Sequence, residues 1–303
     1  MTLIELRYLT AVATEGSFSR AAEKCGVSQP TLSVAIARIE QELGATVFER
    51  TKTRVRVTEL GGEIVAQARR ILHEADKIRE IAAAGTDQLA RPFRLGVIHT
   101  VGPYLLPRLI AELKAVAPKM PLVIEENMTT TLSVMLAANE IDAAVIALPF
   151  DVPGIHLTPI YDEQFVVVVP RGHRWEGRAA LQTDDLAEEE VLLLKAGHCF
   201  RDHVLGACPQ VSVSESDAHL GFSVGTLRSM VASGLGISVL PASAMAPPYG
   251  SDLVSVVPFA EPVPSRRIAV ASRKGFARPQ ALAALKQAFG RIHAAAFLPV
   301  GKA

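Results

Sequence analysis

Apolar residues recur at helical spacing over residues 3–15, at Leu3, Leu6, Leu9 and Val12, with Ala11 and Ala13 between them, which predicts a first helix. Ser17 offers an N-cap to a second helix through Cys25, and Gly26-Val27-Ser28 forms a turn. A third helix starts at Gln29, with Ser28 as N-cap and Pro30 in the first turn, where a missing N–H costs little. Two helices joined by a short Gly-containing turn over about 18–37 form a helix-turn-helix pattern. Gln29, Thr31 and Ser33 lie at the end of the second helix that enters the major groove in such motifs. An ordinary helical hairpin is the competing reading of the same pattern.

After the third helix the pattern changes to alternation. Val47 to Val57 reads as a short hairpin carrying the cations Arg50, Lys52, Arg54 and Arg56, suited to a wing lying on phosphates. Thr58-Glu59-Leu60-Gly61 then opens a helix through about Ala84. Ile64, Ile71 and Ile78 repeat every seven residues on it, with Ala68, Ala75 and Ala82 four places later. This seam of large and small residues reads as a dimer helix, against the alternative of a helix packed on its own core.

Beyond Gln88 strands and helices alternate. Strands are predicted at Phe93–Ile98, Leu122–Ile124, Ala143–Ala147, Phe165–Val169, Val191–Leu194, Val211–Ser214, Gly236–Leu240 and Arg267–Ala271. Helices are predicted at Tyr104–Val116, Thr131–Asn139, Val224–Ala232 and about Gln280–Ala296. The order implies a parallel-sheet α/β domain of two lobes with a ligand cleft between them.

Composition narrows the classes. With 49% apolar and 20% charged residues over 303 positions the chain can bury substantial cores. Its formal net charge is zero, so nucleic-acid binding must rest on the local motif. The first residues carry an early acid and no long apolar run, which does not fit a signal peptide and leads to an expected cytoplasmic location without a membrane partner. No metal site or cofactor is expected; His73-Glu74-x-Asp76 lacks a second His and reads as a solvated helix face.

Candidate chemistry concentrates in Gly197–Cys208, which holds two of the three cysteines. His198 flanks Cys199, with Arg201 and Asp202 close behind, and cationic donors lower a thiol pKa. Two thiols nine positions apart can report oxidation by closing a disulfide, although incidental cysteines fit the residues equally well. Cys25 reads as a small buried hydrophobe.

The order of parts resembles the LysR-type transcriptional regulators. Ser17-Phe18-Ser19-Arg20-Ala21-Ala22, Val27-Ser28-Gln29-Pro30-Thr31-Leu32-Ser33, Val47-Phe48-Glu49-Arg50 and Met230–Ile237 carry the likeness. It implies a winged helix-turn-helix DNA-binding domain over 1–58, a linker and dimerisation helix over 59–88, and a two-lobed α/β regulatory domain of periplasmic-binding-protein type over 89–303. Lobe I would take about 91–162 and 268–303, and lobe II about 163–267. Expected partners are double-stranded promoter DNA, RNA polymerase and further copies in a homodimer assembling to a homotetramer, with Ser28, Gln29, Pro30, Thr31, Ser33, Arg50, Lys52 and Arg54 at the DNA.

Within that family, Gly197-His198-Cys199-x-Arg201-Asp202…Cys208 is similar to the peroxide sensors, with Phe200 where a Leu is usual and His203 where a Gln is. The similarity implies that Cys199 meets hydrogen peroxide, that Cys208 resolves it as a disulfide, and that antioxidant genes are switched. It also implies Thr100, Thr129, His198 and Asp202 around the peroxide and Arg266 near the thiolate. If residues 199–208 are helical, nine rises of about 1.5 Å separate the two Cα atoms by roughly 13 Å, whereas a disulfide needs them within about 7 Å. Such a protein is consumed stoichiometrically and is not an enzyme. The alternatives are a metabolite-responsive regulator of the same family with incidental cysteines, and a thiol peroxidase bearing a DNA module.

Overall fold

The computed structural model describes residues 1–50, 55–83, 87–211, 220–292 and 297–299. The chain divides into two compact units, Met1–Thr86 with Ala137–Asn139, and Asp87–Leu136 with Glu140–Ala303.

The first unit is built from α1 (Leu3–Glu15), α2 (Phe18–Cys25), α3 (Gln29–Leu43), the antiparallel pair β1 (Phe48–Arg50) and β2 (Val55–Val57), and the 25-residue α4 (Glu59–Ala83). Its caps follow the sequence. Thr2 and Glu5 form a capping box on α1, Ser17 accepts from the Arg20 N–H, and Ser28 accepts from the Thr31 N–H. Gly26 stops α2 at φ +69°, a left-handed conformation that a side chain disfavours. Leu9, Val12, Leu32, Ile36 and Val47 are fully buried between the helices, and Phe18 meets Phe48 edge-on. The Glu40 carboxylate accepts from the Val47 and Phe48 N–H groups, tying α3 to the first strand of the hairpin.

Part of the α4 seam is engaged within its own unit. Ala68 is buried and Ile64 and Ile71 pack against the core of this same unit, while Ile78 is 69% exposed. The heptad spacing is met, but its first half is used within the chain. The Ala82 side chain and residue 84, the expected helix end, lie outside the described residues, as do Lys52, Arg54 and the side chain of Arg50.

In the second unit β3 (Phe93–Ile98), β4 (Leu122–Asn127) and β5 (Ala143–Ala147) are parallel, with α5 (Gly102–Val116) and α6 (Thr129–Ala137) as connections. The sheet is mixed rather than parallel throughout. β6 (Ile155–Pro170) and β11 (Ser265–Arg273) run antiparallel to each other from Ile155–Arg273 to Gln164–Ser265 and pass between the two lobes. β11 pairs antiparallel with β5 at one side, while the far half of β6 pairs with β9 (Ile237–Pro241) and β10 (Val254–Pro258). β7 (Val191–Leu194) lies parallel to β9 and to the short β8 (Leu220–Gly221).

β6 starts ten residues before its expected onset because Asp162, Glu163 and Gln164 interrupt its apolar pattern. Two cores result. Leu95, Leu105, Val145, Ile268 and Leu285 belong to the first, and Phe165, Val168, Leu192, Val231 and Val257 to the second. α7 (Cys199–Ala207) and α8 (Val224–Ala232) cover the second lobe, and α9 (Pro279–Gly290) the first. The expected strand at Val211–Ser214 and the helix end near Ala296 lie outside the described residues. Among the described residues no helix is long and apolar enough to cross a membrane.

Candidate functional sites

Two sites emerge, one in each unit. On the first, α3 presents Ser28, Gln29, Pro30 and Thr31 to solvent, with Ser33 half-buried. Gln29 Nε2 donates to Ser33 Oγ at 3.1 Å, and the Ser28 and Thr31 hydroxyls share a hydrogen bond of 2.7 Å. A polar row held by its own hydrogen bonds on an exposed helix start is suited to reading base edges and phosphates. Val34, one position beyond this row, is 68% exposed and would offer an apolar contact that the polar pattern alone does not point to.

The second site lies where α7 meets both lobes. Gly197 (φ +98°) turns the chain so that His198 becomes the N-cap of α7 and Cys199 its first residue. Phe200, Val204 and Cys208 are buried in the second lobe's core, whereas Cys199 packs against the first. All three cysteines are free thiols. Cys208 sits just past the last helical residue, so the helical rise applies and the two cysteines stand roughly 13 Å apart along the axis.

Arg266 organises the surroundings of Cys199. It is bonded to Glu163, its register partner on β6, with Nε at 2.8 Å and Nη2 at 2.6 Å from Oε2. Nη1 donates to Thr100 Oγ1 at 2.8 Å and Nη2 to the Thr100 carbonyl at 2.9 Å. The guanidinium lies 4.7 Å over the Phe200 ring, and Ser243 Oγ donates to the other Glu163 oxygen. Burial pushes the Cys199 thiol up, but the His203 ring beside it, the Arg266 charge and the neighbouring Thr129 hydroxyl outweigh it, and its pKa falls below the ordinary thiol value. Burial alone raises Cys208 to about 11. The two thiols are thus set for opposite behaviour, one toward thiolate and the other toward a protected thiol. Cys25 packs against the first unit's core and is raised by burial.

A pocket of about 10 Å³ opens beside Cys199, lined by Thr100, Met128, Thr129, Gly197 and His198 among others. That is the room of about one water molecule. Thr129 Oγ1 is buried there without a hydrogen-bond partner. His198 is buried with its ring centroid 6.1 Å from that of His99, and burial, then the His99 charge, lower its pKa. So Thr100, Thr129, His198 and Arg266 converge on Cys199.

Two expected neighbours are placed otherwise. Arg201 turns to donate to the Leu194 carbonyl at 3.0 Å, and Asp202 is exposed on the first turn of α7. Arg201, two places after Cys199, lies off its helix face, while Asp202, three places after it, keeps its side chain in solvent. Glu163 and His203 were not singled out from the sequence. His203 could have been found by its i, i+4 spacing from Cys199; Glu163 had no signal beyond its oddity in an apolar strand.

Comparison with known proteins defines the class. Residues 3–62 match the model of the bacterial regulatory helix-turn-helix protein, lysR family, and residues 86–292 match the LysR substrate binding domain. The chain belongs to the LysR family of DNA-binding transcriptional regulators, which are not enzymes. Within it the chain is closely related to OxyR. It is 38% identical over 275 residues to the DNA-binding transcriptional dual regulator OxyR of Escherichia coli (strain K12), covering 91% of this chain and 90% of the relative. A probable hydrogen peroxide-inducible genes activator of Mycobacterium avium is 36% identical over 292 residues, 96% of this chain and 94% of the relative. Among solved structures, a full-length OxyR variant from Pseudomonas aeruginosa is 46% identical with a TM-score of 0.79, covering 98% of this chain and 97% of that one. An H2O2-bound OxyR mutant of Corynebacterium glutamicum is 29% identical with a TM-score of 0.62, covering 96% and 92%. Cys199 and Cys208 stand at positions homologous to redox-sensing cysteines of these relatives.

Proposed function

We propose that the chain senses hydrogen peroxide through Cys199 and Cys208 and passes the change to promoter DNA, switching antioxidant genes. The observation that carries this is the lowered Cys199 thiol, held against the Arg266–Glu163 pair in a pocket of water-like size. Peroxide is only one oxygen larger than water, so the pocket beside Cys199 suits it in size.

The thiolate sulfur attacks one peroxide oxygen. An S–O bond forms, the O–O bond breaks, and the leaving hydroxide takes a proton to become water. Thr100, Thr129 and His198 orient the peroxide, and Arg266 steadies the charge on sulfur. The Cys208 thiol then displaces water from the sulfenic acid to close the disulfide. Because the two cysteines begin about 13 Å apart on a helix, α7 must unwind before the bond closes. Cys208 leaves the second lobe's core in that step, repacking the regulatory domain.

In this account residues 1–58 bind DNA through Ser28, Gln29, Pro30, Thr31 and Ser33 with the wing cations Arg50, Lys52 and Arg54. Residues 59–88 link and dimerise, and residues 89–303 regulate. Two dimers form a tetramer on paired half-sites and meet RNA polymerase there. Footprinting of reduced and peroxide-treated protein on its own upstream DNA tests the reading. A changed footprint for the native chain and an unchanged one for Cys208→Ser are expected; full switching by Cys208→Ser rules the disulfide out.

A further inference from the structure

We propose that His203 is the proton acceptor of the Cys199 thiol; this rests on Cys199 being the peroxide-reactive group. His203 follows Cys199 by one turn of α7, and residues four apart share a helix face. Its Nε2 lies 2.7 Å from the Leu148 carbonyl. A carbonyl only accepts, so in the neutral ring Nε2 carries the proton and Nδ1 keeps a bare lone pair. That Nδ1 is buried and makes no well-formed hydrogen bond. The thiol beside it feels the ring directly.

Leu148 follows β5 in the first lobe, so one hydrogen bond to that lobe selects the tautomer and leaves Nδ1 as the acceptor of the ring. The groups facing this pair from the other elements are Arg266 on β11, with Glu163 on β6 behind it, and the neutral Thr129 on α6. Arg201, on the same helix, is bonded to Leu194. Glu163 offsets Arg266, which leaves the imidazolium and the thiolate as the pair that forms when the proton moves.

The proton transfer breaks the S–H bond and makes Nδ1–H. The thiolate then attacks peroxide, and the leaving hydroxide takes that proton from Nδ1, forming water and restoring the neutral ring. Sulfur loses two electrons and the peroxide oxygens gain them, so thiol and hydrogen peroxide become sulfenic acid and water. A Gln here, usual in similar sensors, can donate to Leu148 but cannot carry the proton away.

The test uses reduced full-length protein and its His203→Gln variant, with Cys199 followed by mass spectrometry. Two rates are measured across pH: alkylation by iodoacetamide and sulfenic acid formation with hydrogen peroxide. His203→Gln should react about tenfold more slowly near pH 6–7, the effect of about one pKa unit, and both proteins should converge at alkaline pH. Equal profiles in both assays overturn the role of His203 while leaving peroxide sensing intact. A His-dependent alkylation profile with no sulfenic acid in the native chain removes the peroxide reading and keeps the proton pair. Ring-nitrogen NMR of the native chain gives a second check: Nδ1 should be bare while Cys199 is a thiol, and a protonated Nδ1 in that state overturns the proposal.

Discussion

Arg266 and Glu163 face each other across the two strands that join the lobes, Nη2 to Oε2 at 2.6 Å, with both side chains shut off from water. The pair places a cation near the Cys199 sulfur while limiting how strongly that cation acts. A buried pair that loses one member leaves an uncompensated charge, at a cost of about 3–5 kcal/mol. Glu163→Gln should therefore weaken the fold by about that amount in urea unfolding. The same change should lower the Cys199 thiol further, because Arg266 is no longer offset. A variant in which Cys199 ionises at higher pH than in the native chain would contradict this.

Arg266→Met should act in the opposite direction on the thiol. It removes a favourable charge and exposes sulfur to the unopposed Glu163 carboxylate. Sulfenic acid formation near neutral pH should slow by about tenfold or more. Retention of the native rate would show that His203 and Thr129 suffice without the guanidinium.

These two predictions concern residues of unequal legibility. Arg266 was expected near the thiolate through family resemblance, but its counterion was not, since Glu163 precedes the apolar run Phe165–Val169 that marks the strand. Only the β6–β11 register shows that Glu163 is turned inward to Arg266. The helix-turn-helix was readable because Ser17, Gly26, Ser28 and Pro30 set its boundaries through local chemistry. Arg201 and Asp202 were placed at the thiol because they are near it in sequence, whereas Arg201 is drawn to the Leu194 carbonyl and Asp202 stays in solvent. The heptad seam is a different case. Spacing identifies the apolar stripe of a helix but not what covers it, and here Ile64 and Ile71 are covered by their own unit.

The two thiols should leave opposite marks on stability against pH. Cys208 is raised to about 11 from an ordinary value near 9. The unfolded chain therefore ionises it first, and stability is lost as pH rises from about 9 toward 11. The loss is on the order of 3 kcal/mol, at about 1.4 kcal/mol per pKa unit. Cys199 has a lowered folded value, so its contribution is present above the unfolded value and fades as pH falls through the folded one. Urea titrations of reduced protein should show a steep alkaline decline that flattens in Cys208→Ala. An unchanged decline in that variant would contradict the assignment.

At the other site, Gln29 is exposed and bonded to Ser33, with no part in the core. Gln29→Ala should leave thermal unfolding of the first unit within about 0.5 kcal/mol, as for surface positions generally. It should reduce preference for the cognate operator over unrelated duplex by about 1–3 kcal/mol if it reads a base edge. Fluorescence anisotropy at fixed salt measures both affinities. Equal loss on both DNAs would make Gln29 a phosphate contact instead.

The account turns on α7 giving up its helix so that Cys208 can reach Cys199. Hydrogen exchange of the Cys199–Ala207 amides in the full chain, before and after one equivalent of hydrogen peroxide, reads this directly. Protected amides in the reduced protein should become fast-exchanging once the disulfide has formed, and slow again on reduction. Protection that persists across this segment in fully oxidised protein would contradict the account.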